Sequence, residues 1–355
     1  MSGARAAART AVGAAVGALT VTSLAACSGA DRPMSMFSPS GADASRVDSH
    51  WQMLLLLGSV VWLVVMGFTL GAVLRRRRAH REDEPRGRGH VVVAVGGALV
   101  PALIITWVMA DSVLVMRDTG GQGEDAGTVV EVAGHQFWWE VRYPEDGVVT
   151  ANEIHVPVGE VVRLEMTASD VIHSLWVPQL SGKVDLNPGR TTVMTINAQE
   201  PGTYWGQCAE YCGLQHAWMR FVVVAHEPEE FDGWLEAQSL PAEDPGAGGE
   251  PGDPADPDAG DQDPQVVRGR EVFMSSSCVY CHAVAGTEAT GTMGPDLTHF
   301  ASRQTIGAGV LPNDRESLAR WIVDPQAVKP GNAMPGTDVA GEELEAMLDY
   351  LESLE

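Results

Sequence analysis

Residues 208–219 read Cys-Ala-Glu-Tyr-Cys-Gly-Leu-Gln-His-Ala-Trp-Met. This short segment offers two thiols, an imidazole and a thioether, which are ligands that suit copper. One Cys with His ligands and a weak axial Met is typical of a mononuclear blue-copper site. A second Cys on the same loop can supply two bridging sulfur atoms, so the segment predicts a site for two copper ions. Each ion then needs its own imidazole, for which His216 and the upstream His173 are the candidates.

Other interpretations of these residues are less favourable. A Cys-x-x-x-Cys pair alone is more often a zinc site or a disulfide. Zinc sites seldom include Met, however, and a tetrahedral ion has no use for the six candidate ligands available here. A lone His such as His173 would by itself more often be a hydrogen-bonded core residue, and only its flanking residues favour a ligand.

The copper segment resembles the binuclear copper (CuA) loop of cytochrome c oxidase subunit II, and residues 170–190 resemble the upstream His segment of that family. The resemblance implies a cupredoxin fold and a complete set of ligands. Cys208 and Cys212 would be bridging thiolates, with His173 and His216 as terminal ligands, Met219 as a weak axial ligand to one copper, and the backbone carbonyl of Glu210 as a weak ligand to the other. The Glu210 carboxylate would reach a magnesium ion at the border with the catalytic subunit.

Residues 278–282 read Cys-Val-Tyr-Cys-His, which is the sequence at which c-type haem is attached. Cys278 and Cys281 would form the thioether bonds, and His282 would ligate the iron. A thioredoxin-like redox pair is the alternative, but it needs a strand before it and a long helix after it. Gly and Pro break the downstream segment here, so haem is favoured.

A haem in an exported electron carrier commonly takes Met as its second axial ligand. Met334, which precedes a proline, resembles the axial-Met loop of small cytochromes c. Met293 is the alternative, although it also fits simple packing beside the haem.

The fifth cysteine, Cys27, follows a short stretch rich in small residues. Residues 1–26 are predicted to be a lipoprotein-type signal peptide, since the site before Cys27 resembles a bacterial lipobox. Cleavage there would leave a lipid-bearing Cys27. An ordinary signal peptide with an incidental Cys is the alternative.

Residues 51–74 and 91–116 form two apolar runs, each longer than the ~20 residues that span a bilayer core. Both are therefore predicted to be transmembrane helices. The loop 75–90 between them carries a dense Arg cluster, which predicts that it is cytoplasmic. The N-terminal segment 27–50 and both globular domains would then lie on the extracytoplasmic side of a bacterial cell membrane.

The remaining chain is predicted to form two domains. Residues 117–236 contain short β-branched runs separated by turns, which predict a β-sandwich. Residues 237–264 are predicted to be an acidic Pro/Gly linker, and residues 265–355 a small all-α cytochrome c domain. A flexible linker would keep the haem near the copper at a high effective concentration, so no tight docking patch is expected.

The chain has a formal net charge of -24. This charge suits either the solubility of exported domains or the steering of a basic electron donor. It does not favour nucleic acid, because the only basic run is the Arg cluster beside the membrane. Trp138 and Trp218 are candidates for the place where electrons arrive. The family usually opens the first aromatic run with Trp, where this chain has Phe137, and this difference disfavours direct transfer from soluble cytochrome c.

The resemblance implies subunit II of a caa-type haem-copper oxidase with a fused cytochrome c. Cytochrome c or a quinol-cytochrome c reductase complex would donate electrons to haem c, which would pass them through copper to catalytic subunit I, where oxygen is reduced and protons are moved. No residue of this chain is then catalytic. Two alternatives remain: the CuA subunit of a nitric oxide reductase, decided by the catalytic partner, and a free-standing membrane-tethered carrier, which the Glu210 carboxylate disfavours.

Overall fold

The computed structural model describes residues 33–76, 87–119, 126–242 and 263–355. The predicted signal peptide with Cys27, most of the Arg cluster and most of the acidic linker lie outside these residues.

Within the described chain, two helical segments are long and apolar enough to cross a membrane, and none of their most apolar stretches is buried inside the protein. The first is α1, Ala42–Arg76. The second consists of α2, Gly87–Ala94, one π-helical stretch, Val95–Leu99, and α3, Val100–Thr119. The π stretch contains the consecutive glycines of the chain's Val-Gly-Gly segment, where backbone irregularity costs least. The exposed apolar side chains of both helical segments suit contact with lipid or with an apolar partner.

A polar contact ties α1 to α3 near one end of the hairpin. His50 Nδ1 lies 2.7 Å from Asp111 Oδ2. Arg46 also donates to the carbonyl of Asp118, at 3.2 Å. These bonds fix the two helices together just before the chain continues into the β-domain.

The β-domain is a sandwich of two five-stranded sheets. Its strands are β1 Thr128–His135, β2 Trp138–Tyr143, β3 Val148–Ala151, β4 Glu153–Pro157, β5 Val162–Ala168, β6 His173–Trp176, β7 Val184–Leu186, β8 Thr192–Ile196, β9 Gly202–Cys208 and β10 Arg220–His226. A helix, α4, follows at Pro228–Ser239.

One sheet has the order β3-β2-β1-β5-β8 and the other β4-β10-β9-β6-β7. Two pairs, β1 with β5 and β4 with β10, are parallel, and the others are antiparallel. Alternate side chains of each sheet meet in one apolar core, in which Trp139, Leu164 and Phe221 are fully buried. The topology brings the start of β6 beside the end of β9, at one end of the sandwich.

The C-terminal domain is helical. Its helices are α5 Pro264–Ser275, α6 Arg315–Val323, α7 Pro325–Val328 and α8 Glu342–Glu352, with a two-stranded ribbon, β11 Thr305–Ile306 and β12 Leu311–Pro312. Helices α5 and α8 pack closely: at Gly269, a Cβ would lie only 1.9 Å from the carbonyl oxygen of Ala346. The rest of the domain is arranged around a cavity.

Candidate metal centre and haem cavity

The copper segment begins at the end of β9 and folds back over the start of β6. Its soft ligands converge there. Cys208 Sγ and Cys212 Sγ lie 3.8 Å apart. His173 Nδ1 is 3.8 Å from Cys208 Sγ, and His216 Nδ1 is 3.8 Å from Cys212 Sγ. Met219 Sδ lies 3.8 Å from Cys212 Sγ, so every predicted sulfur and imidazole ligand is within one cluster.

Neighbouring residues orient these ligands. His173 Nε2 lies 2.8 Å from the Asp170 carboxylate, so Nε2 carries the proton and donates the hydrogen bond. The lone pair of Nδ1 is then left to bind a metal on the side of Cys208. Burial alone lowers the pKa of His173, but its hydrogen bonds with Cys208 and Asp170 outweigh that effect and the pKa is raised. Gln136 Nε2 donates to the carbonyl of Cys212, at 2.5 Å, which fixes the middle of the loop.

A hydrogen bond links the two thiols of Cys208 and Cys212. The hydrogen bond with Cys212 holds the pKa of Cys208 far below its usual range, and the same contact raises the pKa of Cys212. One thiolate therefore forms readily, and a cation that binds both sulfurs would displace the remaining proton.

Glu210 presents two groups in different directions. Its backbone carbonyl lies 3.2 Å from Cys208 Sγ, inside the cluster. Its carboxylate points away to the surface, where it is 3.5 Å from Lys183 Nζ and the side chain is 44% exposed. The carbonyl thus belongs to the copper cluster, and the carboxylate faces outward.

Two thiols, two imidazoles and a thioether form a donor set that fits copper and is poor for hard cations. His173, Cys208 and Cys212 are all buried, and their ligand atoms lie within 4.8 Å of one another. The residues present therefore fit the group that the sequence predicts.

A cavity of about 320 Å³ lies in the helical domain, and the haem-attachment residues line it. Cys278, Cys281 and His282 lie on one side. His282 Nδ1 is 2.7 Å from the carbonyl oxygen of Pro295, so Nδ1 donates and Nε2 is left to bind a metal. Burial also lowers the pKa of His282, which favours the neutral imidazole that ligates iron. Gly294 packs against this ring: a Cβ there would come within 2.7 Å of it.

Both candidate axial methionines line the same cavity. Met334 belongs to a loop held by its own bonds, since its backbone N–H donates to the Asn332 side chain at 2.7 Å. Met293 is 73% exposed and lies at the rim. The geometry favours Met334 because a rigid loop can present one sulfur atom repeatedly to the same point.

A buried cation faces the cavity as well. Arg303 is 8% exposed, and its Nε has no hydrogen-bond partner among the described residues. Burial lowers its pKa, although Asp296 and Glu153 oppose that effect. Arg303 Nη2 donates to the carbonyl of Asp296, and a propionate carboxylate of a haem would satisfy the remaining Nε–H. The cavity therefore offers the attachment residues, the iron ligands and the buried cation that suit a haem.

The haem cavity is closed on one side by the β-domain. Gln136, Phe137 and Trp138 line it together with the residues of the helical domain. Trp138 stacks on His135 at 4.4 Å between ring centroids. Trp218, in contrast, is 48% exposed and lies under the guanidinium of Arg220. Of the two tryptophans singled out in the sequence, only Trp138 adjoins the haem cavity.

The expectation that no docking patch is needed differs from the structure, in which the two domains are in direct contact. The backbone N–H of Arg220 donates to the carbonyl of Ala308 at 3.0 Å. Gln215 Nε2 donates to the carbonyl of Pro330. The linker composition predicted only the tether, because contacts between residues about one hundred positions apart leave no local pattern in a sequence.

Comparisons with known proteins agree with this geometry. A family profile described as cytochrome c oxidase subunit II, periplasmic domain, matches residues 146–226, and one described as cytochrome c matches residues 266–355. The chain is 34% identical over 344 residues to cytochrome c oxidase subunit 2 of Alkalihalophilus pseudofirmus, and the match covers 93% of both chains. This chain belongs to the cytochrome c oxidase subunit 2 family.

Other members of the family match over shorter lengths. Cytochrome c oxidase subunit 2 of Bacillus sp. (strain PS3) is 34% identical over 267 residues, which is 72% of this chain and 69% of the relative. The crystal structure of the periplasmic domain of subunit II of the cytochrome oxidase of Bradyrhizobium japonicum is 31% identical, covers 32% of this chain and 94% of that chain, and has a TM-score of 0.31.

These comparisons confirm the predicted family, the predicted fold class and the prediction that the chain is a subunit of an oxidoreductase. The chain is an oxidoreductase subunit with two apolar helices, a cupredoxin-like β-domain and a helical cytochrome c domain. Its domains imply copper and haem c, and they fit electron input to a haem-copper oxidase. The chain is a membrane-anchored protein with a periplasmic domain, and it associates with a catalytic subunit I.

Proposed function

We propose that this chain accepts electrons at one haem c and delivers them through a two-copper centre to the oxygen-reducing subunit of a respiratory oxidase. When bound, haem c and the copper pair would supply one-electron redox chemistry. The observation that carries the proposal is the segment 136–138. It lines the haem cavity, and Gln136 in it donates to the carbonyl of Cys212 in the copper loop.

The copper ligands we propose are those that the sequence singled out. Cys208 and Cys212 would be the bridging thiolates of two ions, His173 and His216 would each bind one ion, and Met219 and the Glu210 carbonyl would be weak ligands. Their convergence within about 4 Å supports this assignment. Asp170 holds the His173 ring in the tautomer that leaves Nδ1 free.

In the haem domain we propose Cys278 and Cys281 as the attachment residues, with His282 and Met334 as iron ligands. The carbonyl of Pro295 supports this assignment because it orients His282. Trp138 is the residue at which electrons cross between the domains, whereas Trp218 remains a candidate only for an external donor that bypasses the haem.

The outward-facing carboxylate of Glu210 is proposed as a magnesium ligand at the border with the catalytic subunit. Its side chain is 44% exposed, so a second chain can reach it although it also pairs with Lys183. Oxygen atoms of carboxylates are the ligands that magnesium prefers.

We further propose a bacterial cell membrane as the location, with both globular domains on the extracytoplasmic side and a lipid on Cys27. The electron donor is a small basic cytochrome c or a quinol-cytochrome c reductase complex. The net charge of -24 supports a basic donor, because opposite charges speed encounter.

The test is to purify the complex that this chain forms and to measure its oxygen uptake, nitric oxide reduction and optical and paramagnetic spectra. We expect one c-type haem and a mixed-valence copper pair per chain, with reduced cytochrome c driving oxygen uptake. Reduction of nitric oxide but not oxygen would instead identify a nitric oxide reductase. Absence of any catalytic partner would identify a free-standing carrier.

A further inference from the structure

Two charged side chains are buried at the contact between the β-domain and the haem domain, and each bonds to the backbone of the other domain. Lys329, from the haem domain, is 2% exposed. Its Nζ donates to the carbonyl of Phe137 at 2.8 Å and to that of Gly307 at 2.9 Å. Glu153, from β4, is 1% exposed.

Glu153 makes the reciprocal bonds. Its Oε1 accepts from the backbone N–H of Gln304 at 2.7 Å and more weakly from that of Thr305 at 3.3 Å. Gln304 and Thr305 immediately precede Ile306 and Gly307, and the carbonyl of Gly307 accepts from Lys329. The loop 304–307 of the haem domain is thus held by the carboxylate of Glu153 from the β-domain and by the ammonium group of Lys329 from the haem domain itself.

Buried charges of this kind are costly unless they are hydrogen-bonded, and bonds to charged groups are shorter and stronger than neutral ones. The cost is visible in Lys329, because burial lowers its pKa to about 7. In some proteins, buried charged groups enforce a single, correct fit although they add little to the strength of the contact. The pair is therefore suited to select one arrangement of the two domains.

The arrangement that they select is the one that joins the two redox sites. Lys329 lies five residues before Met334, in the loop that lines the haem cavity. Its acceptor, Phe137, follows Gln136, whose side chain donates to the Cys212 carbonyl. Gly213 follows Cys212 and leaves room for the contact between Gln136 and the copper loop. A Cβ at Gly213 would lie 2.9 Å from Gln136 Nε2 and 3.2 Å from the Phe137 ring.

We propose that Lys329 and Glu153 are positioning residues that hold the haem cavity against Phe137, so that electrons cross in one docked arrangement rather than in random encounters of tethered domains. This inference rests on the proposed function of the two sites. Neither residue is a ligand of copper or of the haem iron, although Lys329 belongs to the lining of the haem cavity. Their role is to fix the distance between the two.

The chain contains two lysines, Lys183 and Lys329, which allows docking to be measured directly. The side chain of Lys183 is 46% exposed, whereas Lys329 is 2% exposed. When the purified full chain with its cofactors is treated with an amine-methylating reagent and digested for mass spectrometry, Lys183 should react at least about tenfold faster than Lys329, since only an opened contact exposes the second amine. Equal rates for both lysines would overturn the proposal, and this measurement needs no variant.

The second measurement is the rate of haem-to-copper electron transfer after a light pulse reduces the haem. Lys329→Met removes the donor at nearly constant length, and Glu153→Ala removes the acceptor, whereas Glu153→Gln keeps an oxygen acceptor. We expect the first two to slow transfer by about tenfold or more, the effect of losing a charge-assisted bond, and Glu153→Gln to restore most of the rate. Glu153→Ala should also raise the methylation rate of Lys329.

Controls separate positioning from damage. The haem and copper spectra, and the reduction of copper by a small-molecule reductant, should be unchanged in each variant. Arg268→Met, which removes an exposed ion pair with Glu342, should leave the transfer rate unaltered. Unchanged transfer in both Lys329→Met and Glu153→Ala would refute the positioning role. If the wild-type chain showed no haem-to-copper transfer at all, the proposed function itself would fail.

Discussion

The copper cluster and the haem cavity differ in how far the protein alone forms the binding site. In the β-domain the ligand atoms already converge, as in the 3.8 Å between Cys208 Sγ and Cys212 Sγ. In the haem domain, His282 and Met334 line a cavity of about 320 Å³. Two packed sheets can hold a small cluster rigidly with core residues of their own. The small helical domain instead leaves the centre of its core to the cofactor, so its folding should depend on haem far more than the β-domain depends on copper.

Loss of haem should have the largest effect. In the double variant Cys278→Ala/Cys281→Ala, the cavity of about 320 Å³ would lose its occupant. The domain would then lose the apolar contacts that the haem makes at the centre of its core, and a small domain has only about 5–15 kcal/mol of stability to lose. We expect the helical domain to unfold while the β-domain stays folded, measured by limited proteolysis with mass spectrometry. A helical domain that resists the protease without haem would show that its folding does not depend on the cofactor.

Loss of copper should have a sharp but local effect. Cys208→Ser or Cys212→Ser should abolish the mixed-valence copper signal, because a bridging thiolate is removed. The haem spectrum and the unfolding temperature of the helical domain should stay as in the wild type. A variant that kept the seven-line copper resonance would show that the two sulfurs do not bridge.

A smaller effect should follow from removing the buried cation at the haem cavity. Arg303→Gln should lower the midpoint potential of the haem, because a nearby positive charge favours the reduced iron and Gln lacks it. Redox titration of the haem absorbance measures this shift, and the copper potential serves as the internal control. A potential unchanged or raised would mean that Arg303 does not face the haem.

The smallest effect should be a pH dependence confined to the β-domain. His155 Nδ1 lies 2.8 Å from His226 Nε2, and burial lowers the pKa of both residues below the ordinary value of 6.5. The unfolded chain therefore binds protons more readily at these two residues, so the contribution of the pair to stability is full above pH 6.5 and falls as the pH drops below it. Thermal unfolding followed between about pH 7.5 and pH 5.5 should show this decline. The decline should be weaker in His226→Gln, and an equal decline in that variant would assign it to other groups.

The ligands and most elements could be predicted because their signals are local. The short β-branched runs that predicted a β-sandwich include β4, Glu153–Pro157, and the domain predicted to be all-α contains α6, Arg315–Val323. The short strand β6, His173–Trp176, gave too few alternating residues to be recognised, although it carries a candidate copper ligand.

The roles of Lys329 and Glu153 could not be predicted. Their partners are 192 and 151 residues away in the chain. No periodicity in a sequence records such a contact. A single charged residue in a Gly- and Pro-rich loop also looks like an ordinary surface position. The one available signal was the scarcity of lysine, since the chain has two such residues.

The most direct test of the account is the fate of one electron placed on the haem of the intact complex by a light pulse. Because the haem cavity rests against the copper domain at Phe137 and Trp138, haem oxidation and copper reduction should proceed together at one rate. That rate should not change with protein concentration or with solvent viscosity. A rate that fell as viscosity rose, or copper that was reduced by soluble cytochrome c while the haem stayed reduced, would contradict a docked haem as the source of electrons for copper.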